Sequence, residues 1–277
     1  MKNQIIASRD NPQIKVLKRL AQTSSSYKVE GQVWLEGEHL CEAFLKAPSV
    51  TGAQLQKIIV SMSAKPRWMR LVEVCALKAK TDKACEAVVL PDNLFEYISG
   101  LPSSGGVGFV LSLPDQTNGG PSSVIDKTAH TLVLDRVQDA GNVGSMLRSA
   151  AAFGVTQILA LQGTAALWSP KVLRSAMGAH FALHLVEGLS AGDIVLDVPL
   201  LATHVHAGAM LHELQAAKKI PNPCAWIMGH EGQGVSQILL DKASVRVNIH
   251  QAGQESLNVA AAAAVCLHAS MTYAPCL

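Results

Sequence analysis

The sequence predicts an α/β protein with two domains, the second of which is built on a mostly parallel sheet. The chain has 277 residues, 49% of them hydrophobic and 16% charged, which is enough for one large or two ordinary domains. A run of turn-forming residues begins at Pro114 and has no apolar periodicity, so residues 114–121 are predicted to be a linker. Beyond it, apolar runs alternate with helix-length segments, the pattern of parallel strands covered by helices. These runs lie at 131–135, 156–161, 182–186, 199–203, 224–228 and 245–249.

Residues 1–113 are predicted to form a smaller α/β domain, because short apolar runs alternate there with helical patterns. The helical spacing of Ile14, Leu17 and Leu20 indicates one helix, and a second pattern lies around Trp68–Leu77. The apolar runs are Lys57–Met62, Ala87–Leu90 and Gly108–Leu113. Residues 122–277 then form the second domain.

Charge is divided unevenly between the two parts. Residues 1–113 carry 14 Lys and Arg against 10 Asp and Glu, a net charge of +4, whereas the remainder carries 9 against 11, a net charge of −2. Neutralisation of phosphates by Lys and Arg supplies much of the affinity for nucleic acid. A basic first domain is therefore compatible with RNA binding, although cations that only solvate a helix face would give the same count.

Composition bears on the cellular setting. No apolar run approaches the roughly 20 residues that a membrane helix needs, and the N-terminal residues lack the long apolar region of a signal peptide. The cysteines are scattered without a C-x-x-C pair, which favours reduced, mostly buried thiols and a cytoplasmic protein. They are Cys41, Cys75, Cys85, Cys224, Cys266 and Cys276.

Three polar segments stand where strands end or helices begin. The first, residues 135–148, follows the apolar run Thr131–Leu134, and the second, Gly229–Gly234, follows Cys224–Met228. The third, residues 253–259, leads into Ala260–Ala264. Ala is the strongest helix former and Ser a good N-cap, so the third segment predicts a helix capped by its serine.

Together these segments resemble the three-motif signature of the SpoU/TrmH family of RNA ribose methyltransferases. The first motif is Asn142-x-Gly144 with Arg148 six residues after the Asn, the second is Gly-x-Glu-Gly-x-Gly at 229–234, and the third is Ser-Leu-Asn-Val at 256–259. The phrases at 6–15 and 35–40 resemble the substrate-binding domain of that family, so the resemblance covers nearly the whole chain. The third-motif loop departs from the common pattern, because only two residues separate Gly253 from Ser256.

The resemblance implies a fold, a cofactor and partners. The second domain would contain a trefoil knot, and the cofactor would be S-adenosylmethionine. The enzyme would methylate a ribose 2′-hydroxyl in ribosomal or transfer RNA, and it would act as a homodimer formed through its C-terminal domain. Two alternatives stay open: a catalytically idle RNA-binding protein of the same fold, and an α/β enzyme that uses a nucleotide cofactor.

Five residues are expected to carry the chemistry. Arg148 would bind the phosphate next to the target ribose and stabilise the developing alkoxide, because a guanidinium is a permanent cation with a planar fork of donors and is a poor base. Asn142 is a candidate helix N-cap, and Glu231 would orient Arg148 or accept a proton through water. Ser256 and Asn258 would hold the ribose or a water molecule.

The resemblance also assigns binding residues. Cofactor contacts are expected at Thr203, Gly229, Gly234, Ile249, Leu257 and Asn258, and RNA contacts at Arg148, Arg174, Lys15 and Arg19. The spacing of the glycines at 229–234 is not G-x-G-x-x-G, which argues against a nicotinamide site. No metal is predicted, because no Cys or carboxylate cluster completes a site with His204, His206 and His212.

Overall fold

A computed structural model describes residues 8–47, 52–70, 85–101, 104–114, 124–205, 207–253 and 256–271. These residues divide into two compact units. The first comprises the described residues within Met1–Asp115 together with Trp168–Phe181, and the second comprises those within Gln116–Leu167 and Ala182–Leu277. Apart from Pro114, the predicted linker lies outside the described residues.

The first unit begins with a helix whose start is set by its sequence. The Asn11 side chain accepts a hydrogen bond from the Gln13 N–H, a proline follows at the first helical position, and Ile14, Leu17 and Leu20 are buried. The elements in order are α1 (Pro12–Gln22), α2 (Ser26–Glu30), β1 (Gln32–Glu36), α3 (Glu38–Lys46), β2 (Gln54–Ser61), β3 (Glu86–Leu90), α4 (Asp92–Ile98) and β4 (Val107–Ser112). Residues 65–70 are also helical, and the rest of the predicted pattern around Trp68–Leu77 lies outside the described residues.

Four strands of the first unit form one mixed sheet in the order β1-β4-β2-β3. Strand β4 is antiparallel to β1 and to β2, whereas β2 and β3 are parallel. The predicted apolar runs are confirmed as β2, β3 and β4, and β1 was not predicted as a strand.

The segment Trp168–Phe181 packs with the first unit, although it follows the predicted linker in sequence. It contains α6 (Pro170–Ala176), which contacts α1 and β1, and a 3-10 helix over Ala179–Ala182. The rings of Phe181 and Phe44 lie 5.3 Å apart, edge to face. These aromatic contacts hold the segment against α3.

The second unit alternates strands and helices. Its elements are β5 (Thr131–Asp135), α5 (Ala140–Ala152), β6 (Gln157–Leu161), β7 (His184–Leu189), β8 (Leu200–Thr203), β9 (Ala209–Met210), α7 (Leu211–Ala216), β10 (Ala225–Gly229), α8 (Gln237–Lys242), β11 (Val245–Asn248) and α9 (Val259–Met271).

The strands of the second unit form one seven-stranded sheet in the order β7-β6-β5-β10-β8-β11-β9. Every pairing in it is parallel, which confirms the predicted α/β class with a parallel-sheet domain. All six predicted strands are present, β7 begins two residues later than expected, and β9 is an additional short strand. The strand order alone does not define how the chain threads, so the trefoil knot stays a prediction.

The last helix, α9, packs against α5 and β10. The buried indole N–H of Trp226 on β10 donates to the Ser270 hydroxyl at 2.7 Å, which fixes the helix on the sheet. The described cysteines, Cys41, Cys85, Cys224 and Cys266, are buried and carry no disulfide. Burial raises the pKa of the Cys224 thiol to about 12, so it stays protonated and unreactive at neutral pH. No helix among the described residues is long and apolar enough to cross a membrane.

Candidate functional site

The first two motifs begin at the same edge of the parallel sheet. Strands β5 and β10 are neighbours, and Asp135 at the end of one lies opposite Gly229 at the end of the other. Because all strands of this sheet run in one direction, their carboxyl ends share an edge, which is where open α/β sheets bind ligands. The segments that follow the two strands therefore leave the sheet side by side.

The side-chain amide of Asn142 joins all three motifs. Its Nδ2 donates to the Glu231 carboxylate at 3.2 Å, and its Oδ1 accepts a hydrogen bond from the Asn258 Nδ2 at 3.0 Å. The three residues come from separate loops, and hydrogen bonds of one amide group bring them together. The predicted grouping of Asn142, Glu231 and Asn258 is thus present in the folded chain.

Asn142 is not the N-cap of α5, contrary to the expectation. The cap is Asp139, whose carboxylate accepts the Asn142 backbone N–H at 2.8 Å, and the helix begins at Ala140. Asp and Asn are both good N-cap residues, and Asp139 is the cap here because it directly precedes the first helical turn. This leaves the Asn142 side chain available to contact the other two motifs.

Glu231 is held by the first motif. Its two carboxylate oxygens accept the backbone N–H groups of Gln138 at 3.2 Å and Asp139 at 3.1 Å, in addition to the Asn142 amide. Partial burial raises the pKa of Glu231, but the hydrogen bonds outweigh burial and hold the pKa below its ordinary value. Within the described residues of one chain no ion pair joins Glu231 to Arg148, so the expected contact between them stays a prediction.

Arg148 lies on α5, six residues after Asn142, and is exposed. The buried face of that helix is formed by Val143, Met146, Leu147 and Ala150, so Arg148 stands off the packed face as expected. Within the described part of the chain it forms no ion pair. Its charge is therefore available to an anionic ligand.

The second motif folds back on itself as a tight loop. The backbone groups of His230 and Gly234 exchange hydrogen bonds at 3.1 and 2.8 Å, and Gly234 has φ +68°, a region that glycine tolerates. A Cβ at Gly229 would stand 2.1 Å from the Gly234 backbone carbon, so only glycine permits this approach. The His230 Nδ1 accepts the backbone N–H groups of Gly232 and Gln233, a role that the sequence did not indicate.

The third motif is tied to its neighbours by two side chains. The Asn258 Oδ1 accepts the backbone N–H groups of Ala260 and Ala261, so Asn258 caps α9. Ser256 was expected to be this cap; it lies two residues too early and is exposed. The Gln251 Oε1 accepts the Leu257 N–H at 3.1 Å, which links this motif to the segment after β11.

Two of the remaining predicted cofactor residues, Thr203 and Ile249, lie at strand ends of the same sheet, and the third, Leu257, lies in the third motif. Thr203 ends β8, and its hydroxyl donates to the carbonyl of Ile227 on the neighbouring β10 at 3.1 Å. Ile249 directly follows β11, which pairs with β8. Leu257 is 40% exposed. The assigned residues thus belong to β8, β10, β11 and the third motif, all on neighbouring elements.

An ion pair at the end of β5 was not predicted. The buried Asp135 carboxylate accepts Arg136 Nε at 2.9 Å and the Ser236 backbone N–H at 2.6 Å. Arg136, which has φ +60°, also donates to the Gln233 side chain at 2.9 Å. The pair therefore anchors the end of the second-motif loop, at Gln233, and the segment that follows it, at Ser236. The sequence signal that could have predicted this pair is the carboxylate of Asp135, which ends an otherwise apolar strand.

The predicted RNA residues of the first unit have defined surroundings. Lys15 pairs with Asp10 at 3.2 Å and Arg19 with Glu30 at 2.6 Å. Arg174 belongs to the first unit, where it lines an open groove of about 510 Å³ together with Arg67. The structure thus assigns Arg174 to a different unit from the three motifs.

The histidines that raised the question of a metal lie in the second unit. His206 is outside the described residues. Within the described ranges no three His, Cys, Asp or Glu side chains gather as a metal site would require.

Comparison with known proteins gives matches over most of the chain. Residues 129–268 match the model of the SpoU rRNA Methylase family. An uncharacterised tRNA/rRNA methyltransferase of Synechocystis is 32% identical over 95% of this chain and 92% of its own length. The Bacillus subtilis 23S rRNA (guanosine(2553)-2′-O)-methyltransferase RlmP is 28% identical, with coverage of 95% and 97% respectively.

Solved structures share the fold. An RNA 2′-O ribose methyltransferase is 26% identical, covers 96% of this chain and 98% of its own, and has a TM-score of 0.70. An AdoMet-bound rRNA methyltransferase from Sinorhizobium meliloti has a TM-score of 0.81, covers 98% of both chains and is 21% identical, which shows the same fold.

Replacing Glu231 by Gln is expected to loosen the three-motif network. The side chain keeps its size, but one carboxylate oxygen becomes an N–H group that faces backbone donors. Loss of a hydrogen bond there should lower the free energy of unfolding by about 0.5–1.5 kcal/mol, measured by urea denaturation at neutral pH. The control Glu213→Gln, at an exposed position of α7, should change it by less than about 0.5 kcal/mol.

The comparison of wild type with Glu231→Gln also tests the protonation state of Glu231. Its pKa is lowered from 4.5 in the folded protein, so the stability it contributes is present above that value and lost as the pH falls through the folded value. The difference in unfolding free energy between wild type and Glu231→Gln should therefore shrink as the pH falls below 4.5. A difference that stays constant with pH contradicts the assignment.

Proposed function

The chain belongs to the SpoU rRNA methylase family, and we propose that it is an S-adenosylmethionine-dependent enzyme that methylates a ribose 2′-hydroxyl of ribosomal or transfer RNA. The ribose oxygen forms a bond to the methyl carbon while the methyl–sulfur bond breaks. The electron pair of that bond stays on sulfur, which gives S-adenosylhomocysteine, and the hydroxyl proton is released to solvent.

The observation that carries this proposal is the Asn142 amide network. It gathers the three motif loops at the carboxyl edge of the parallel sheet, where ligands of such sheets bind. A methyl transfer needs its oxygen, methyl carbon and sulfur in line, so catalysis depends on fixed positions. Hydrogen bonds among the loops supply that fixed geometry.

The residues at this edge suit a cofactor without phosphate groups. The loops at 229–234 and 249–258 contain no Lys or Arg. A cofactor that contains a pyrophosphate group would need such cations, or a Gly-rich helix start, to bind it. Backbone groups near Gly229, Gly234, Ile249, Leu257 and Asn258 would hold the adenosine and methionine parts. Thr203 supports the β10 strand end beside them.

Arg148 is the residue that we assign to the RNA. Its guanidinium has no ion-pair partner within the described ranges and presents a planar fork of donors, which matches a phosphate. It would bind the phosphate beside the target ribose and stabilise negative charge that develops on the oxygen. In a dimer the Arg148 of either protomer is a candidate for this role.

Glu231 and its partners would act by positioning. Because hydrogen bonds already hold the Glu231 carboxylate and lower its pKa, it is a weak base at neutral pH. Asn142 and Asn258 orient the loops, and the exposed hydroxyl of Ser256 would contact the ribose.

We further propose a division of labour between the domains. Residues 1–113 would select RNA through their net charge of +4, and residues 122–277 would hold the cofactor in a knotted domain, with 114–121 as the linker. The cytoplasm is the expected location, because RNA substrates and reduced thiols such as those of Cys224 and Cys266 occur there.

Binding of S-adenosylhomocysteine tests the proposed function directly. At a concentration 100 times its dissociation constant it should stabilise the protein by about 2.7 kcal/mol, measured as a thermal shift. Transfer of a radiolabelled methyl group to RNA should follow. Binding without transfer would favour the idle RNA-binding alternative, and a shift with NADH in place of S-adenosylhomocysteine would favour another nucleotide cofactor.

Replacing Arg148 by Ala should lower the rate of methyl transfer strongly while cofactor affinity changes less than a few-fold, because the side chain contacts RNA in this proposal. Loss of one pre-oriented charged donor costs about 3–4 kcal/mol of transition-state stabilisation, or roughly two to three orders of magnitude in rate. Arg148→Lys keeps the charge but loses the fork, and should restore part of the rate. Full activity of Arg148→Ala contradicts the role.

A homodimer through the C-terminal domain is also proposed. Exposed apolar side chains lie along and next to α9, where Val265 is 43%, Met271 48% and Leu257 40% exposed. A two-fold contact would cover the same face of both copies. We expect light scattering to give twice the monomer mass and Val265→Lys to lower it towards one chain, with Val195→Lys, at another exposed valine, as the control. A monomer that still transfers methyl groups contradicts the proposal.

A further inference from the structure

The basic residues near the start of the first unit fall into two classes. Lys15 and Arg19 on α1 each contact a carboxylate, Asp10 and Glu30 respectively. Arg9, just before the helix, and Lys18, within it, have no ion pair among the described residues. Four cations that are equivalent by sequence are therefore not equivalent as binding groups.

The two unpaired cations share one aromatic ring. The Arg9 Cζ lies 4.6 Å and the Lys18 Nζ 3.6 Å from the ring centroid of Tyr97 on α4. A ring face attracts a cation and restricts its position, but it provides no carboxylate to neutralise the charge. Both groups are thus held near one point, at the junction of α1 and α4, with N–H donors that a further acceptor can use.

We propose that Arg9, Lys18 and Tyr97 form a phosphate-binding surface that holds the RNA backbone on the first unit, in place of Lys15 and Arg19. This inference rests on the proposed function, because it needs RNA as the ligand. Both charged groups lie within 4.6 Å of one centroid, so a short stretch of a single RNA backbone reaches both. The net charge of +4 on residues 1–113 attracts the negatively charged RNA backbone to this part of the chain.

The opposing explanation is that the cations only pack α1 against α4. In that case their replacement would change the stability of the first unit and would leave RNA binding unchanged. Arg9 and Lys18 carry the same total charge as Lys15 and Arg19, but they contact a ring and not carboxylates. This makes the paired residues a matched control for the unpaired ones.

The test compares the double variants Arg9→Gln/Lys18→Gln and Lys15→Gln/Arg19→Gln in the full-length protein. Each removes two positive charges from the same part of the chain. Affinity for a short mixed-sequence RNA is measured by fluorescence anisotropy at several potassium chloride concentrations. Loss of two phosphate contacts should reduce the slope of log affinity against log salt by about 1.4–1.8, and lower affinity at least about tenfold at low salt.

The control double variant should keep the wild-type slope and stay within about threefold in affinity, because exposed ion pairs contribute little and their cations are already partnered. Tyr97→Leu leaves the charge unchanged and should weaken RNA binding by removing the ring that places the cations. Tyr97→Phe keeps the ring and should bind like wild type. Thermal unfolding of each variant verifies that it is folded.

Equal effects of the two double variants, or wild-type RNA affinity in Tyr97→Leu, would overturn the assignment. Binding of S-adenosylhomocysteine separates this failure from that of the proposed function. If wild type binds the cofactor product and RNA but the variants do not differ, only the surface is wrong. If wild type binds neither, the proposed function fails with it.

Discussion

The arrangement of the site depends on the side-chain amide of Asn142. It contacts Glu231, 89 residues away in sequence, and Asn258, 116 residues away. Only an amide carries a donor and an acceptor on one short planar group, so it can receive an N–H from one loop and donate to a carboxylate on another. An aspartate would set two carboxylates side by side, and an apolar residue would join neither loop. The parallel sheet places the loops at one edge, and this amide fixes their relative positions.

The same network decides which residues are free to act on a ligand. Glu231 has its oxygens engaged by the Gln138 and Asp139 N–H groups, and its lowered pKa makes it a fixed anion. Had it paired with Arg148, each charge would have neutralised the other. With Glu231 occupied by backbone donors, the guanidinium on α5 keeps its full charge for an anion from outside the chain.

Much of the fold could be predicted because the signals are local. Strands β5, β6 and β10 of the second unit are buried on both faces and appear as continuous apolar runs, whereas α1 shows its buried face as the spacing of Ile14, Leu17 and Leu20. What failed depended on choices between similar residues: Asp139 and Asn142 are both capping types and lie three positions apart, and Ser256 and Asn258 are both capping types and lie two positions apart. The motif resemblance grouped Asn142, Glu231 and Asn258, but it did not indicate which hydrogen bonds join them or that backbone N–H groups of the first motif hold Glu231, since bonds across some 90 to 116 residues leave no local pattern.

Sequence also does not show whether a charged residue has found a partner in the folded chain. The carboxylate that pairs with Arg19 comes from α2, eleven residues on, and the ring under Lys18 comes from α4, so neither relation follows from helical spacing. A charge count gives the sign of a domain, and the fold decides which of those charges remain for a ligand. By this criterion Arg148 stays available in the second unit, and among the cations of α1 and the residues just before it Arg9 and Lys18 stay available, because carboxylates of the chain itself already engage Lys15 and Arg19.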